Sequence, residues 1–598
     1  MKKTIISSIT TLFAALACVS CVQDLDTMPI DPSVNTADKA FADPASYAQY
    51  VSYAYGYFAM VSQSNPGETD LAGFTDAGQS EFIRQYMVLN ELPTDSFKCG
   101  WGDSYIPEIG YNKWGSSCLA VTAVYLRGMK GIALCNHFLA SEVSGDEAVR
   151  ERGHADQLGN IHRYRAELRL IRAIYYSILL DMIGNPPIVE PKHIGSSDFP
   201  KQFSKNFAEG RRMLFEYLET ELKSIAADDN LPAVRTEYPR LSKGAAWAVL
   251  ARMYLNAEVY SGTARWDDAM TYSKKVIEEG GFSLNQGTGA EGYLQLFMQD
   301  NTESGAALKE FIIPISYDNT RTQSWGGTTH LVSGPLHNAE MAMDITAKLY
   351  ESYPELKSAY SKFLSDNSDN EKIKEYSVDN AYVETWNGYH ISESFVEENF
   401  ELENVESGAF NYKGDPRARF YKFDAAFSNE STDNSSGYTC VKWLPVNSDG
   451  TVADYYDPIN HTAKLSSCDF PLYRLAEMYL IYAEAQTRSK NAPLTDGDEG
   501  YQYLKELRDR VHYDMPSAIE KTIDAEWILK ERVRELMWEG HRRTDLIRYD
   551  MFINTKAWPY KGGVAAGTQS SIEPHRIVYP IIGSDLAANP ALVQNPGY

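Results

Sequence analysis

Two short stretches of this chain set aromatic rings beside hydrogen-bonding side chains. The first is Trp101-Gly102-Asp103-Ser104-Tyr105, with Arg84 upstream and Trp114 beyond it. The second is Ser324-Trp325-Gly326-Gly327-Thr328-Thr329-His330. Trp and Tyr carry a flat apolar face and a polar handle. Sugar rings present C–H faces and hydroxyls, so such sets suit carbohydrate binding with no bond broken. Trp386 and Tyr389 offer further rings downstream. Covalent chemistry has less support. Glu531, Glu535 and Glu539 fall at i, i+4 and i+8. A glycosidase needs two carboxyls across a cleft, one with a raised pKa. Here Arg532, Arg534, Arg542 and Arg543 stand close by, so ion pairing on one helix face is the expectation. No Gly-x-Ser-x-Gly, His-Glu-x-x-His or Walker-type loop occurs, and no enzyme is expected. Asp300-Asn301-Thr302-Glu303 is oxygen-rich and could help hold calcium. It lacks the spaced ligands of an EF-hand, so a solvated turn is the simpler reading, and no other cofactor is implied.

The elements that would carry these residues belong to a large globular chain. It has 598 residues, 43% hydrophobic and 23% charged. That composition excludes global disorder, and the length implies several domains or one repeat-built body. The net charge of −25 opposes phosphate backbones and anionic headgroups alike. Nucleic acid is therefore not an expected partner, and membrane attachment needs something other than a basic face. There are 40 Tyr against 23 Phe, and most of those tyrosines are expected to pack between helices. Lys2 and Lys3 precede a mostly apolar stretch from Ile5 to Ala17, the pattern of a signal peptide over residues 1–20. Cys18 and Cys21 follow, as in bacterial lipoproteins, where a diacylated cysteine becomes the first residue; ordinary secretion with cleavage near Ala17 is the alternative. The later cysteines Cys99, Cys118, Cys135, Cys440 and Cys468 form no C-x-x-C pair. That argues against zinc and leaves one disulfide open.

Periodicity makes the body helical. Arg163 to Ile183 carries Leu170, Ile174, Ile178 and Met182 at four-residue steps, and Gly184-Asn185-Pro186-Pro187 ends it. Ser242 is placed to cap the next helix, with Ala246, Leu250, Met253, Tyr254 and Ala257 on its apolar face. Another helix runs from Trp266 to about Glu279. Such hairpins read as tetratricopeptide-type units, which stack to share a core. A similar hairpin is expected over Pro471–Ser489 and Gly497–Arg510, then a helix over Ala525–Met537. Residues 285–470 change character, with a short apolar run at Phe311–Ile315 and many Asn, Ser, Gly and Asp. They read as a loop-rich insert, where a rigid scaffold usually displays its binding surface.

Several segments together resemble the SusD/RagB family of glycan-binding outer-membrane lipoproteins of Bacteroidetes. They are Cys21-Val-Gln-Asp-Leu-Asp-Thr-Met-Pro29, Asn90-Glu-Leu-Pro-Thr-Asp95, Tyr164-Arg-Ala-Glu-Leu-Arg-Leu-Ile-Arg-Ala173 with Gly184-Asn-Pro-Pro-Ile188, Leu472–Ala485, Glu531–Arg548 and Gln594-Asn-Pro-Gly-Tyr598. The resemblance favours Cys21 over Cys18 as the lipidated residue. It implies a mostly α fold: a tetratricopeptide-like scaffold of about four helix pairs with a loop-rich α+β ligand-binding region inserted. The implied division is a tether at 21–40, a helical region at 41–284, the insert at 285–470 and C-terminal helices at 471–598, in one integrated body. In the family's starch-binding branch, Trp101 falls on an aromatic platform position and Arg84 on a sugar-binding arginine. Asp103 or Ser104, beside Tyr105, falls where that branch has an Asn, and Cys99 where it has a second Trp. Trp325 to His330 resembles its second aromatic loop, with His330 near a Tyr position. The implied role is non-enzymatic capture of oligo- or polysaccharide at the cell surface. The captured glycan would pass to a TonB-dependent SusC-like barrel, with this protein as its lid. A glycoside hydrolase and a helical scaffold for protein partners are the alternatives.

Overall fold

In the computed structural model the described residues are 36–63, 65–191, 199–287, 291–337, 385–400, 414–428, 435–448, 465–517, 521–553 and 572–598, with scattered positions between. Cys18 and Cys21, and with them the signal and most of the tether, lie outside these residues.

The N-terminal helices include α1 (Ala45–Gly56), α2 (Phe82–Glu91), α3 (Leu119–Leu139), α4 (Leu158–Met182), α5 (Phe207–Ala227), α6 (Lys243–Leu255) and α7 (Trp266–Glu279). Later come α8 (Gly327–Ser333), α9 (Leu475–Lys490), α10 (Glu499–Arg510), α11 (Ala525–Leu536) and α12 (Arg542–Arg548). From α3 to α7 each helix packs on the next. This is the expected tetratricopeptide-like solenoid. α6 is buried almost all round, which makes it a central helix rather than a one-faced surface one. α7 buries only Ala269, Ser273 and Val276, a narrow i, i+4, i+7 stripe. α7 then packs on α9, far away in sequence, and α9 packs on α10 and α11. The solenoid therefore continues as though the insert were absent.

The insert is an excursion whose ends are sewn together. Its strands are β2 (Phe311–Ile315), β3 (Tyr389–His390), β4 (Ala409–Phe410), β5 (Phe420–Lys422), β6 (Tyr438–Cys440), β7 (Tyr456–Asp457), β8 (Thr462–Ala463) and β9 (Phe470–Arg474); β1 (Lys98–Cys99) precedes it. β2 pairs antiparallel with β9 and closes the loop at its base. β4, β5 and β6 form a small sheet, and β1 reaches across from the helical region to pair with β3.

Three local expectations change. Pro471 lies in β9, so that helix begins at Leu475. The reason is tertiary pairing: Pro471 faces Pro314, neither has an N–H to give, and the register shifts beside them. α4 begins five residues before Arg163, and of those five only Ile161 is buried, too little to carry the stripe back on its own. Ser242 occupies the N-cap position of α6, but its hydroxyl makes no capping bond. The five cysteines after Cys21 are all free and buried, so none of them forms a disulfide.

Candidate functional site

The β1–β3 pair assembles the first half of the site. Cys99 sits opposite Tyr389, and Gly100 N–H donates to the Gly388 carbonyl at 3.0 Å. Trp101, just beyond β1, is thereby set beside Trp386, just before β3. Its indole Nε1–H donates to the Trp386 and Asn387 carbonyls at 3.0 and 3.1 Å. A Cβ on Gly388 would lie 2.3 Å from the Trp101 ring, so only glycine lets the indole lie this close. The two ring centroids are 6.4 Å apart.

A buried carboxylate brings in the third ring. Glu81 precedes α2 and accepts from the Arg84 N–H at its first turn. It also accepts from the Tyr317 hydroxyl at 2.6 Å and from Gly327 N–H at 3.0 Å. This latch holds the 325–327 turn against α2. Gly327 has φ of 49°, and a Cβ there would collide with the Tyr317 hydroxyl at 2.1 Å. Trp325 consequently lies with its ring centroid 6.5 Å from that of Trp386. Burial pushes the Glu81 carboxyl up to about 7, against the hydrogen bonds that favour its ionised form.

Trp101, Trp386 and Trp325 are each half-buried, so each keeps part of its surface in solvent. Trp386 links the other two. The rim beside Trp101 is polar: Ser104 is exposed, and half-buried Asp103 accepts from Gln79 Nε2 at 2.7 Å. An arc of indoles with a carboxylate and a hydroxyl at its edge can stack on flat apolar faces and hydrogen-bond hydroxyls.

The other expected site residues form the layer beneath. His330 is fully buried, 2.9 Å from the Tyr389 hydroxyl and 5.8 Å between centroids from Trp101. Burial and nearby Arg84 hold its imidazole well below the ordinary range, so it is neutral. Tyr105 is 1% exposed and Arg84 5%. The Arg84 guanidinium lies 5.7 Å from the Trp101 ring, a cation–π brace. His330 and Tyr105 thus present no surface to a ligand, and Arg84 very little. Side-chain type suggested rim; the packing makes them support. Tyr389 and Trp538 extend this layer, with centroids 4.8 Å apart. Cys99 is also buried, and Trp114 is a core residue whose Nε1–H donates to the Tyr598 hydroxyl at 2.7 Å. Neither Glu81 nor Asn387 belongs to a motif that marks it in the sequence. The Gly326-Gly327 doublet was the available signal for the former, since it marks a close backbone approach. Asn387 has φ of 48° and a side-chain oxygen without a partner among the described residues.

The carboxylate row is an ion-pair core. Glu531, Glu535 and Glu539 are buried, but Glu539 lies beyond the end of α11. Glu531 meets Arg417, Arg508 and Arg534 at 2.7–2.9 Å. Glu535 meets Arg417, Arg474 and Arg510, and Glu539 meets Arg474 and Lys442. The partners come mostly from other elements. Of the four neighbouring arginines only Arg534 joins; Arg532, Arg542 and Arg543 bind Asp545, Asp95 and Asp181. These cations hold the three glutamates below the usual carboxylate range, opposite to the shift of a general acid. Asp300 is occupied by Ser448, accepting from its N–H at 2.7 Å and from its hydroxyl. Among the described residues no group of three His, Cys, Asp or Glu could hold a metal ion.

Comparison with known proteins gives one consistent result. A profile of the SusD family matches residues 309–598. The starch-binding protein SusD of Bacteroides thetaiotaomicron is 32% identical over 591 residues, covering 97% of this chain and 96% of the relative. A SusD-like protein of Bacteroides fragilis superposes with a TM-score of 0.60 at 17% identity, covering 96% of this chain and all of that one. A laminarin-binding SusD-like protein superposes with a TM-score of 0.59 at 18% identity, covering 93% and 99%.

Proposed function

This chain belongs to the SusD family, and from that premise we propose that it is a surface glycan-binding lipoprotein that breaks no bond. Its ligand lies on the Trp101–Trp386–Trp325 arc, with Asp103 and Ser104 taking sugar hydroxyls. The observation that carries this reading is the convergence of three half-buried tryptophans from separate segments. A protein core has no need to leave three neighbouring indoles partly wet. The relative named for starch makes an α-glucan the first glycan to try. Cys21, with Cys18 as the alternative, carries the lipid that anchors the protein in the outer membrane. No helix among the described residues is long and apolar enough to cross a membrane. A SusC-like barrel receives the glycan, and this protein serves as its lid. Ligand favours the closed lid only by its differential affinity for that state.

Native affinity electrophoresis against starch, laminarin, fructan and plant-wall polysaccharides tests the ligand. Trp325→Ala is the cleaner probe, because Trp101 also pins the 386–387 backbone. It is expected to weaken binding about tenfold while the melting temperature holds. Unchanged retardation would remove the arc from the site, and new reducing ends after incubation would overturn the non-enzymatic reading. Cys21→Ser is expected to release the protein from the membrane fraction. Co-purification of an outer-membrane barrel with the wild type tests the partner.

A further inference from the structure

A concavity lies on the helical side of the loop that carries Trp325. It is a cleft of about 390 Å³ between α1, the start of α4, residues 237–240 and the end of β2. That size lies in the range of small-ligand sites, which are mostly apolar with a few placed polar groups. Its wall is made by the half-buried rings of Tyr55, Tyr164 and Tyr238 together with Pro239. The Tyr55 and Tyr238 hydroxyls are held from behind, by the Leu241 N–H at 3.0 Å and by Asp469, which fixes those two rings at the opening.

The charges of the cleft restrict its occupant. Its one cation is Arg240, which stacks on Tyr164 at 5.2 Å and pairs at 2.9 Å with fully buried Glu167. Glu237 adds an exposed carboxylate 3.6 Å from the same arginine. Arg235 stacks on the Tyr238 ring at 4.9 Å from behind the wall and donates to the Phe311 carbonyl at 2.7 Å, so both guanidinium groups are engaged within the protein and, with Glu237 at the opening, the site disfavours anions. The Thr322 hydroxyl is buried in the wall and has no partner among the described residues. A neutral ligand bearing hydroxyls satisfies both features.

Thr322 also ties the cleft to the tryptophan arc. Three peptide steps separate it from Trp325, so their Cα atoms lie within about 11 Å. One loop thus lines both places. We propose that the cleft is a second glycan subsite, taking uncharged sugar rings of a chain whose other end lies on the Trp101–Trp386–Trp325 arc. This rests on the glycan-binding reading above and adds to it a preference for neutral oligosaccharides longer than the arc alone can hold.

The test is calorimetric titration of the full chain with maltotriose, maltoheptaose, laminariheptaose and an oligogalacturonate of seven residues. Tyr164→Ala removes one ring. Ser52→Trp, from an exposed position on α1 that lines the cleft, fills it without touching the core. Both variants are expected to melt like the wild type. They are expected to bind the preferred neutral heptasaccharide about tenfold more weakly and the trisaccharide as before. Oligogalacturonate is expected to bind at least tenfold more weakly than the neutral chain. If both variants keep full heptasaccharide affinity while Trp325→Ala loses it, the cleft is no subsite and the arc stands alone. Equal binding of the acidic chain overturns the assignment to neutral sugars. If the wild type binds neither neutral heptasaccharide, the subsite falls together with the neutral-glycan reading.

Discussion

Glu81 is the residue on which the arc most depends without belonging to it. Its carboxylate joins α2 to the 325–327 turn, so its protonation state bears on where Trp325 sits. The folded carboxyl is raised to about 7, above its unfolded value of about 4.3. The native state therefore keeps a proton that the unfolded chain releases between those values. Stability from this group falls as pH rises from about 4.5 through 7, then levels off. Glu81→Gln mimics the protonated form, since its amide can donate to the Tyr317 oxygen and its carbonyl can accept the two N–H groups. The variant is expected to be as stable as wild type at pH 5 and more stable at pH 8, read from denaturant midpoints. Glu81→Ala strands three donors and is expected to cost about 3 kcal/mol at pH 5 and less at pH 8, where the wild type has itself lost what the bound proton contributes. A wild type and Glu81→Gln that respond identically to pH would exclude Glu81 as the source. Trp101 and Trp325 stand out in the sequence because an indole beside hydrogen-bonding side chains is itself a local signal. The layering was not, since nothing in the letters of Arg84, Tyr105 or His330 says which side of Trp101 they occupy.

At the scale of elements, periodicity located α7 to the residue and α10 and α11 to within two, because amphipathic stripes and caps are local signals. β9 departs from its local helical pattern because Pro471 is settled by a partner strand some 155 residues upstream, which no local window contains. α11 shows the same limit. Its glutamates announced ion pairs, but apart from Arg534 the arginines that answer come from α10, β9 and the insert. That network gives the protein an acid limit. Glu531 is lowered to about 2, and Glu535, Glu539 and Glu484 are also lowered by facing guanidinium groups. Depressed carboxylates contribute stability above their unfolded pKa and lose it as pH falls from about 4.3 through the folded values. Glu91 and Asp469, raised by burial to about 7 and 6, act in the opposite sense above pH 4.5. The melting temperature is accordingly expected to peak near pH 4.5–5, to decline gently towards pH 7 and to fall steeply below 4. Glu535→Gln, which strips Arg474 and Arg510 of a shared partner, is expected to cost about 3–5 kcal/mol at pH 7. A melting temperature that is flat from pH 3 to 8 would mean that the network contributes nothing net.

For the whole molecule, the question is how an excursion as long as the insert holds Trp386 still relative to a solenoid that closes without it. The β2–β9 pair fixes only the base. The upper part is held by β1–β3 and by Arg417, fully buried, which reaches from the insert to Glu531 and Glu535 while keeping Asp415. The N-terminal half contributes as well. Glu91 accepts from Gly540 N–H at 3.0 Å, and Asp95 takes Arg542 in a two-pronged pair at 2.6–2.7 Å. β1 is thereby seated on the C-terminal turn that also carries Trp538. Segments that resembled the family separately are thus one joint in space, and that joint aims β1 at β3. If Arg417 is the bolt between insert and solenoid, removing it should loosen the arc before the helices. Arg417→Met is expected to abolish measurable glycan retardation and to make Trp fluorescence change at lower denaturant than far-UV circular dichroism. In the wild type the two signals are expected to coincide. Coincident but shifted transitions in Arg417→Met would instead show that insert and solenoid unfold as one unit and that Arg417 adds stability to the whole rather than coupling between its parts.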